Sequence, residues 1–247
     1  MKNIHKIWEK NAEQIGSLQN EDFILSPVIQ ESMFCSDLQL FQDEFLELLP
    51  GILSEHYNLI QPTETFGCPK LINGIDPNTI HHIYHLNQLL KFIGGVEKLK
   101  EIKTIVEFGG GYGNFCRLIK KLNHGCNYTI IDLPELSKLQ AFYLKNTLSV
   151  EDYETVTFAN EANISSIKNC DLFIATWSLS ECPQSLQDRL FDSRLFNAKH
   201  ILCAFHQCGN HIPFMQESTH FMNKILELDV VLVQNELISG KNYYAIK

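Results

Sequence analysis

The segment 104–122, "TIVEFGGGYGNFCRLIKKL", decides the fold of this chain. Its apolar start, Thr104–Phe108, is typical of a buried strand. Four glycines follow at 109–111 and 113, and residues 114–122 then repeat their apolar side chains at helical spacing. A strand that enters a helix through a glycine-rich turn predicts a doubly wound sheet, in which ligands bind at the carboxyl ends of the strands.

Short apolar runs alternate with helical stretches from this segment to the C terminus. Further strands are predicted at 128–131, 155–158, 171–177, 200–205, 230–234 and 243–246. The polar segment that joins the last two contains Ser239 and Gly240, which predicts an antiparallel hairpin at the sheet edge. We therefore expect an α/β catalytic domain over 101–247, built on a doubly wound, seven-stranded, mostly parallel sheet.

Residues 1–100 have a different pattern. Helical periodicity is present at Asp37–Leu49 and Thr79–Ile93, and residues 61–77 between them are rich in Pro, Gly and Asn. This part contains no strand pattern of its own. We predict a mainly helical N-terminal cap that lies over one edge of the sheet, on the substrate side.

The overall composition restricts the class of partner. The 247 residues carry a formal net charge of −9, which argues against general nucleic-acid binding, since that requires a positive surface. No apolar run is long enough to span a membrane, and the first residues lack the apolar middle of a signal peptide. The eight cysteines are scattered without a CxxC pair. These features predict a cytoplasmic protein with reduced thiols that acts on a small molecule.

Glu107 lies two residues before the first glycine, and its negative charge discriminates between two classes of ligand. A dinucleotide turn of the form GxGxxG requires glycine at position 114, where this chain has Asn114. Glu107 would repel a pyrophosphate but attract a ligand that carries an ammonium and a sulfonium group. Asp132 ends the next strand, where an acid can hold ribose hydroxyls, and Leu133 follows it to pack on adenine.

This pattern predicts an S-adenosylmethionine site. The residues predicted to contact that molecule are Glu107, Gly109, Gly111, Gly113, Asp132, Leu133, Asn160 and Trp177. Asn160, or Glu161 beside it, follows the third strand and is expected to contact the adenine amine. Trp177 follows the fourth strand and is expected to line the pocket. The alternatives are a glycine turn needed only for packing and a Trp177 that belongs to the core.

The stretches "IVEFGGGYGNFCRLIKKL" and "YTIIDLPEL" resemble class I S-adenosylmethionine-dependent methyltransferases. More narrowly, they are similar to sugar O-methyltransferases of bacterial surface-polysaccharide clusters, together with the Ser-x-x-Glu pattern in "WSLSE" at 177–181. The resemblance covers roughly residues 104–185. It implies methyl transfer to a hydroxyl of a sugar, either nucleotide-activated or part of a capsule or O-antigen precursor.

A sugar hydroxyl is a poor nucleophile, so we expect a base near the ends of strands four and five. Glu181 matches the family pattern and follows strand four, although a carboxylate at a helix start is also favoured by the helix dipole. His206 follows strand five and titrates near neutral pH, although a structural histidine at a strand end is the alternative. Ser178, the other match, is predicted to contact the substrate.

Three cap histidines complete the predicted substrate site: His81, His82 and His85. His81 and His85 have the i, i+4 spacing of some metal ligands, but the HExxH pattern fails at position 82. The cysteines and histidines at 203, 206, 208 and 211 lack a second cluster, and strand alternation points Cys203 away from His206. We therefore predict no metal.

Two other functions stay open at this point. One is an NAD-dependent sugar oxidoreductase or epimerase on the same kind of sheet, and the other is a cofactor-binding module without transfer activity. The apolar helix of the cap also offers a surface for a homodimer.

Overall fold

The computed structural model describes residues 4–33, 37–60, 66–67, 74–167, 169–206, 219–238 and 241–247. Seven strands form one sheet. They are β1 (Thr104–Phe108), β2 (Asn127–Ile131), β3 (Val156–Ala159), β4 (Leu172–Thr176), β5 (His200–His206), β6 (Val231–Gln234) and β7 (Asn242–Ile246). Their spatial order is β3-β2-β1-β4-β5-β7-β6. The strand order reverses between β1 and β4, so a crevice opens above the ends of these two strands.

The sheet confirms the predicted α/β, doubly wound architecture. Strands β1 to β5 pair in parallel, whereas β7 pairs antiparallel with both β5 and β6. The predicted terminal hairpin is therefore present, with β7 inside the sheet and β6 at its edge. Glu107 of β1 is in register with Ile130 of β2 and Ile174 of β4, so its side chain lies centrally, beside the crevice.

Eleven helices are present in the described parts of the chain. They are α1 (Ile4–Gly16), α2 (Pro27–Met33), α3 (Leu38–Leu48), α4 (Ser54–Ile60), α5 (Pro77–Ile93), α6 (Val96–Glu101), α7 (Asn114–Leu122), α8 (Pro134–Thr147), α9 (Val150–Glu154), α10 (Gln184–Phe191) and α11 (Thr219–Leu226). Two cap helices begin at an aspartate that accepts bonds from the first free backbone N–H groups, Asp37 for α3 and Asp76 for α5. Helix α5 ends at Gly94 in the left-handed conformation.

Side-chain alternation along the strands divides the interior into two cores. On β5, Leu202 and Ala204 belong to one core, while Cys203 and Phe205 belong to the other. The second core contains α10 and α11. The described cysteines are free thiols, and Cys203 points away from the face of His206, as its position in the strand predicts.

The position of the cap corrects one prediction. The first core joins apolar residues of cap helices α1 to α6 to sheet residues of β1, β2, β4, β5 and β7, for example Ile83 and Leu86 to Ile174 and Leu202. The cap therefore lies on a face of the sheet and shares its core, instead of covering an edge. Apolar periodicity identifies a buried helix face, but it does not specify which surface that face covers.

A buried asparagine bonds the cap to the sheet domain. The Asn114 amide nitrogen donates to Thr79 Oγ1 and to His82 Nδ1, both on α5 and both at 3.1 Å. Its oxygen accepts from Arg117 Nε at 3.0 Å and from the Tyr143 hydroxyl at 3.2 Å. The residue that departs from the dinucleotide turn thus has a structural role, with none of its side chain exposed.

Within the described ranges, no helix combines the length and the apolar character needed to cross a bilayer.

Candidate active site

A cavity of about 800 Å³ opens at the carboxyl ends of β1, β2, β4 and β5. Its volume lies in the upper part of the range of about 300–1,000 Å³ that small-molecule sites occupy, which leaves room for two ligands side by side. One half is lined by Glu107, the glycine turn, Asp132 and the segment after β3. The other half is lined by the residues after β4, the end of β5 and cap residues from α1, α2, α3 and α5.

The glycine turn forms the floor of the first half. Gly109 has φ +76°, and a Cβ there would lie 2.3 Å from the Cβ of Ser178, so no other residue fits. Gly111 has φ +55°, and a Cβ there would have only Met33 Sδ near it, at 4.0 Å, so its backbone faces open space. Gly113 does not line the cavity, and a Cβ there would lie 3.2 Å from Leu144 Cγ of α8. The predicted contact of Gly113 with a ligand therefore does not fit the structure.

Glu107 lies in the wall of the cavity and is only 1% exposed. Its Oε2 accepts a hydrogen bond from the Tyr128 hydroxyl at 3.0 Å. Burial raises the pKa of Glu107 to about 8, against the lowering effect of the Tyr128 bond and with a further rise from Asp132. The open negative charge expected from the sequence is thus a buried carboxyl, whose ionisation depends on the charge that enters the cavity.

Asp132 is half-buried at the end of β2 and is held by its neighbours. Its carboxylate accepts from the Leu133 backbone N–H at 2.8 Å and from Gln140 Nε2 at 2.7 Å. Gln140 Nε2 also donates to the Gly111 carbonyl at 2.9 Å, so one amide connects the acid to the glycine turn. Burial raises the pKa of Asp132 to about 6, although these hydrogen bonds oppose the rise.

The remaining predicted residues of this half also line the cavity. Leu133 begins α8, and Asn160 caps the short 3₁₀ helix after β3 by accepting a hydrogen bond from Ala162 N–H at 3.0 Å. Glu161 lines the cavity too, and its carbonyl accepts from Arg189 Nη2 at 2.8 Å. Both candidates for the adenine amine are therefore at the cavity.

Trp177 follows β4 and stands in the second half with φ +64°. A bulky residue in the left-handed region is strained, and such strain is concentrated at functional sites. Its ring centroid lies 4.4 Å from that of His206 and 6.4 Å from that of His81. Ser178, the next residue, donates its hydroxyl hydrogen to the Phe108 carbonyl at 2.5 Å and so connects the ends of β4 and β1.

Glu181 and His206 both reach the cavity. Trp8 Nε1 of α1 donates to Glu181 Oε2 at 2.8 Å, and burial raises the pKa of Glu181 to about 7. His206 bonds through Nδ1 to the Asn242 amide oxygen, and burial lowers its pKa. Glu181 can therefore exchange a proton near neutral pH, whereas burial favours the neutral form of His206.

The three cap histidines occupy different environments. His81 lines the cavity and bonds through Nδ1 to Glu44 at 2.7 Å. His82 also lines the cavity, and burial, with the charges of His81 and Arg117, lowers its pKa to about 3. His85 has no exposed surface and lies behind Trp177, so a direct contact of His85 with substrate does not fit the structure.

The described residues contain no group of three or more His, Cys, Asp or Glu side chains that could hold a metal ion. His81 and His85 do lie close, with ring centroids 4.2 Å apart, but their nitrogens bond to Glu44, Trp177 and Tyr244. Cys208 and His211 of the other candidate group lie outside the described residues.

Comparison with known proteins identifies the fold. No protein-family model matches the chain, and no curated protein sequence does either. Solved structures do match. The magnesium protoporphyrin IX methyltransferase of Synechocystis PCC 6803, determined with bound SAM, aligns with a TM-score of 0.51 at 10% identity, over 87% of this chain and 100% of that one. The StiE O-MT structure aligns with a TM-score of 0.50 at 13% identity, over 67% of this chain and 57% of that one.

The chain has the methyltransferase fold. Within that fold, the glycine turn after β1 and the acid after β2 face one half of the cavity, and the residues after β4 and β5 face the other. The predicted fold class is thereby confirmed, including the seven strands and the terminal hairpin.

Several residues that line or support the cavity were not predicted from the sequence. Trp8 and Met33 of the cap line it, and Glu44, Tyr128 and Gln140 hold residues that do. Tyr128 and Gln140 were findable in principle, because each lies on an element adjacent to the glycine turn. Trp8 and Glu44 reach the site only through the tertiary fold of the cap.

Proposed function

We propose that this chain is an S-adenosylmethionine-dependent O-methyltransferase that acts on a hydroxyl group of a sugar. The observation that supports this function best is the single cavity with two chemically different halves. One half offers open glycine backbone between Glu107 and Asp132, and the other offers an aromatic ring among side chains that can accept hydrogen bonds.

The first half fits S-adenosylmethionine. The backbone at Gly111 is open to the cavity, Asp132 is positioned for ribose hydroxyls, and Leu133 for the adenine face. Glu107 complements a cationic amino-acid group, since a positive charge favours its ionised form. When bound, S-adenosylmethionine supplies a methyl group already activated by its sulfonium.

The second half has the groups needed to hold and deprotonate a hydroxyl. Glu181, His206 and His81 can accept hydrogen bonds or protons, and His82 carries its ring proton on Nε2 because Nδ1 accepts from Asn114. Trp177 provides an aromatic surface between them. Trp8 of α1 and Met33 of α2 add apolar surface from the cap to the cavity lining.

The sugar as acceptor is supported by the resemblance over residues 104–185 and by the number of polar side chains around one aromatic ring. A nucleotide-activated sugar or a surface-polysaccharide precursor is the acceptor class that this resemblance favours. The fold alone does not select an acceptor, because the same sheet serves different chemistries.

Calorimetric titration tests the cofactor. We expect one-to-one binding of S-adenosylmethionine and of S-adenosylhomocysteine, and no heat with NADH. The variant Asp132→Asn should weaken both affinities, since it removes the negative charge of the carboxylate that accepts hydrogen bonds from the ribose hydroxyls. Binding of NADH in place of S-adenosylmethionine would replace this proposal by the oxidoreductase function.

Transfer of a labelled methyl group tests the acceptor. The panel contains nucleotide-activated sugars, free monosaccharides and catechol, and the label is followed into product by mass spectrometry. Product with a nucleotide sugar and none with catechol supports the proposal. Transfer to catechol alone would support an O-methyltransferase but contradict a sugar acceptor. Cofactor binding without transfer to any member of the panel would favour a binding module.

A further inference from the structure

We propose that Glu44 and His81 form a catalytic dyad in which His81 removes the proton from the acceptor hydroxyl. The inference rests on the proposed function, because it assigns a role within that site. It is carried by a buried contact between a carboxyl group and an imidazole on two cap helices, and by the second ring nitrogen, which has no partner among the described residues.

The first part of the geometry is the carboxylate. Glu44 belongs to α3, is 0% exposed, and its Oε1 lies 2.7 Å from His81 Nδ1 of α5. Within the described residues, its Oε2 has no hydrogen-bond partner. A buried carboxylate with a single partner is costly in free energy, and such a feature calls for an explanation beyond packing.

The second part is the free nitrogen of the ring. His81 is 8% exposed and lines the cavity. Among the described residues, no hydrogen bond is made by its Nε2, so this lone pair is free for a ligand. The ring is fixed by its neighbours, since its centroid lies 4.2 Å from that of His85 and its plane is within 6° of that of Trp177.

These contacts define what the pair can do. When the Nδ1–H group donates to Glu44, Nε2 carries the lone pair, which is the state required of a base. When the acceptor hydroxyl gives its proton to Nε2, its oxygen forms the new bond to the methyl group and the bond from sulfur to that methyl breaks. The Glu44 carboxylate stabilises the imidazolium formed, S-adenosylhomocysteine leaves uncharged, and the ring returns its proton to water.

The two bases predicted from the sequence have weaker support for this step. His206 Nδ1 meets a neutral amide, Asn242, which does not compensate a positive ring as a carboxylate does. Glu181 Oε2 already accepts the hydrogen bond from Trp8 at 2.8 Å. We therefore assign proton removal to His81 and orientation of that ring to Glu44.

The tautomer of His81 tests the dyad without any acceptor. In ¹⁵N NMR of the full chain, with the His81 signals assigned by their loss in His81→Gln, we expect a protonated Nδ1 and an unprotonated Nε2. In Glu44→Gln this tautomer should lose its preference. A proton on Nε2 in the wild-type protein would overturn the proposal, since such a ring cannot take a proton from the cavity.

Turnover on the best acceptor of the panel gives the second readout. His81→Gln should lower kcat by about 10²–10⁴-fold, the usual contribution of a general base. Glu44→Gln should lower kcat by about 10-fold or more, with the KM for S-adenosylmethionine unchanged. Glu47→Gln is the matched control, because Glu47 lies one turn further on α3 and pairs with exposed Lys91 of α5 at 2.9 Å.

The outcomes separate this proposal from the proposed function. Retention of more than about a tenth of kcat in His81→Gln, or equal effects of Glu44→Gln and Glu47→Gln, would overturn the dyad and leave the methyltransferase intact. Absence of S-adenosylmethionine binding in the wild-type protein would instead remove the proposed function. S-adenosylhomocysteine affinity, measured for every variant, shows that each one has folded.

Discussion

The indole nitrogen of Trp177 donates a hydrogen bond to Nε2 of His85 at 2.9 Å. Because this bond occupies the Nε2 lone pair, the ring proton lies on Nδ1, which is 2.7 Å from the Tyr244 hydroxyl. Burial lowers the pKa of His85 well below its ordinary value, so the ring stays neutral. His85 therefore lies behind Trp177, and its hydrogen bond fixes the position of the indole ring. The Trp177 ring in turn forms the surface between His81 and His206.

Removing the Trp177 donor should destabilise the fold. In Trp177→Phe the Nε2 of His85 is left buried without its partner, which costs about 1–3 kcal/mol in the free energy of unfolding. Urea unfolding measures the change. Trp8→Phe is the control, because its bond to half-buried Glu181 is replaced by water at a cost of about 1 kcal/mol or less. Equal losses in the two variants would contradict the role given to His85.

Alanine substitutions at two glycines distinguish the cost of a steric clash from the cost of backbone strain. Gly109 (φ +76°) and Gly125 (φ +77°) share the left-handed conformation, but a Cβ on Gly109 would meet Ser178 at 2.3 Å and one on Gly125 would meet open space. Gly125→Ala should cost about 1–2 kcal/mol from strain alone. Gly109→Ala should cost about 1–3 kcal/mol more, and it should also abolish S-adenosylmethionine binding.

Thermal unfolding and calorimetry measure these two effects. Each kcal/mol lowers Tm by about 2–4 °C for a chain of this size. If Gly109→Ala and Gly125→Ala had the same Tm and both bound S-adenosylmethionine, the result would contradict the prediction that the close approach of Ser178 requires glycine at position 109.

Glu107 should release a proton when S-adenosylmethionine binds. Its pKa is raised to about 8, so at pH 7 the carboxyl of the free protein is about 0.9 protonated. A bound cation favours the carboxylate and displaces that proton. Calorimetry in phosphate and Tris buffers, which differ in ionisation enthalpy, measures the release. It should fall towards zero at pH 9 and be absent in Glu107→Gln, where Tyr128 keeps an acceptor.

The same raised pKa has a consequence for stability. The neutral carboxyl is the form that the interior favours, so its contribution is fully present below the ordinary value of 4.5 and is lost as pH rises through about 8. Between pH 5 and pH 8, the free energy of unfolding of the wild-type protein should therefore fall relative to that of Glu107→Gln. A parallel pH dependence in the two proteins would show that the Glu107 carboxyl is not buried in solution.

The contact between α1 and the active site should depend on pH. Burial raises the pKa of Glu181 to about 7, and its hydrogen bond from Trp8 is stronger when the acceptor is ionised. The backbone of α1 should therefore be better protected at pH 8 than at pH 6 in hydrogen exchange, after correction for intrinsic rates. Glu181→Gln should remove this difference. Protection that changes equally in both proteins would assign it to another group.

Much of the fold follows from local sequence signals. The predicted bounds of α7 agree with those observed, because α7 follows directly on the glycine turn. The placement of the cap could not be predicted in this way. Its apolar residues specify that a face is buried, while the surface it covers depends on contacts between segments distant in sequence.

The candidate site, like the fold, was predictable only where it depends on local sequence. Glu107, Asp132, Glu181 and His206 converge as predicted, because the carboxyl ends of parallel strands meet at one edge of the sheet. The spacing of His81 and His85 suggested one shared role, yet one ring faces the cavity and the other faces Tyr244. Their difference arises from Glu44 and Trp177, which no local pattern connects to them.

The continuous core beneath the cap has a practical consequence for redesign. Ile83 and Leu86 of α5 belong to the same buried core as Ile105 and Leu202 of the sheet, so removal of the first hundred residues would expose an apolar face to solvent. The N-terminal part therefore cannot be exchanged as a module without rebuilding this core. It has to be altered one side chain at a time, inside an interior that both parts build together.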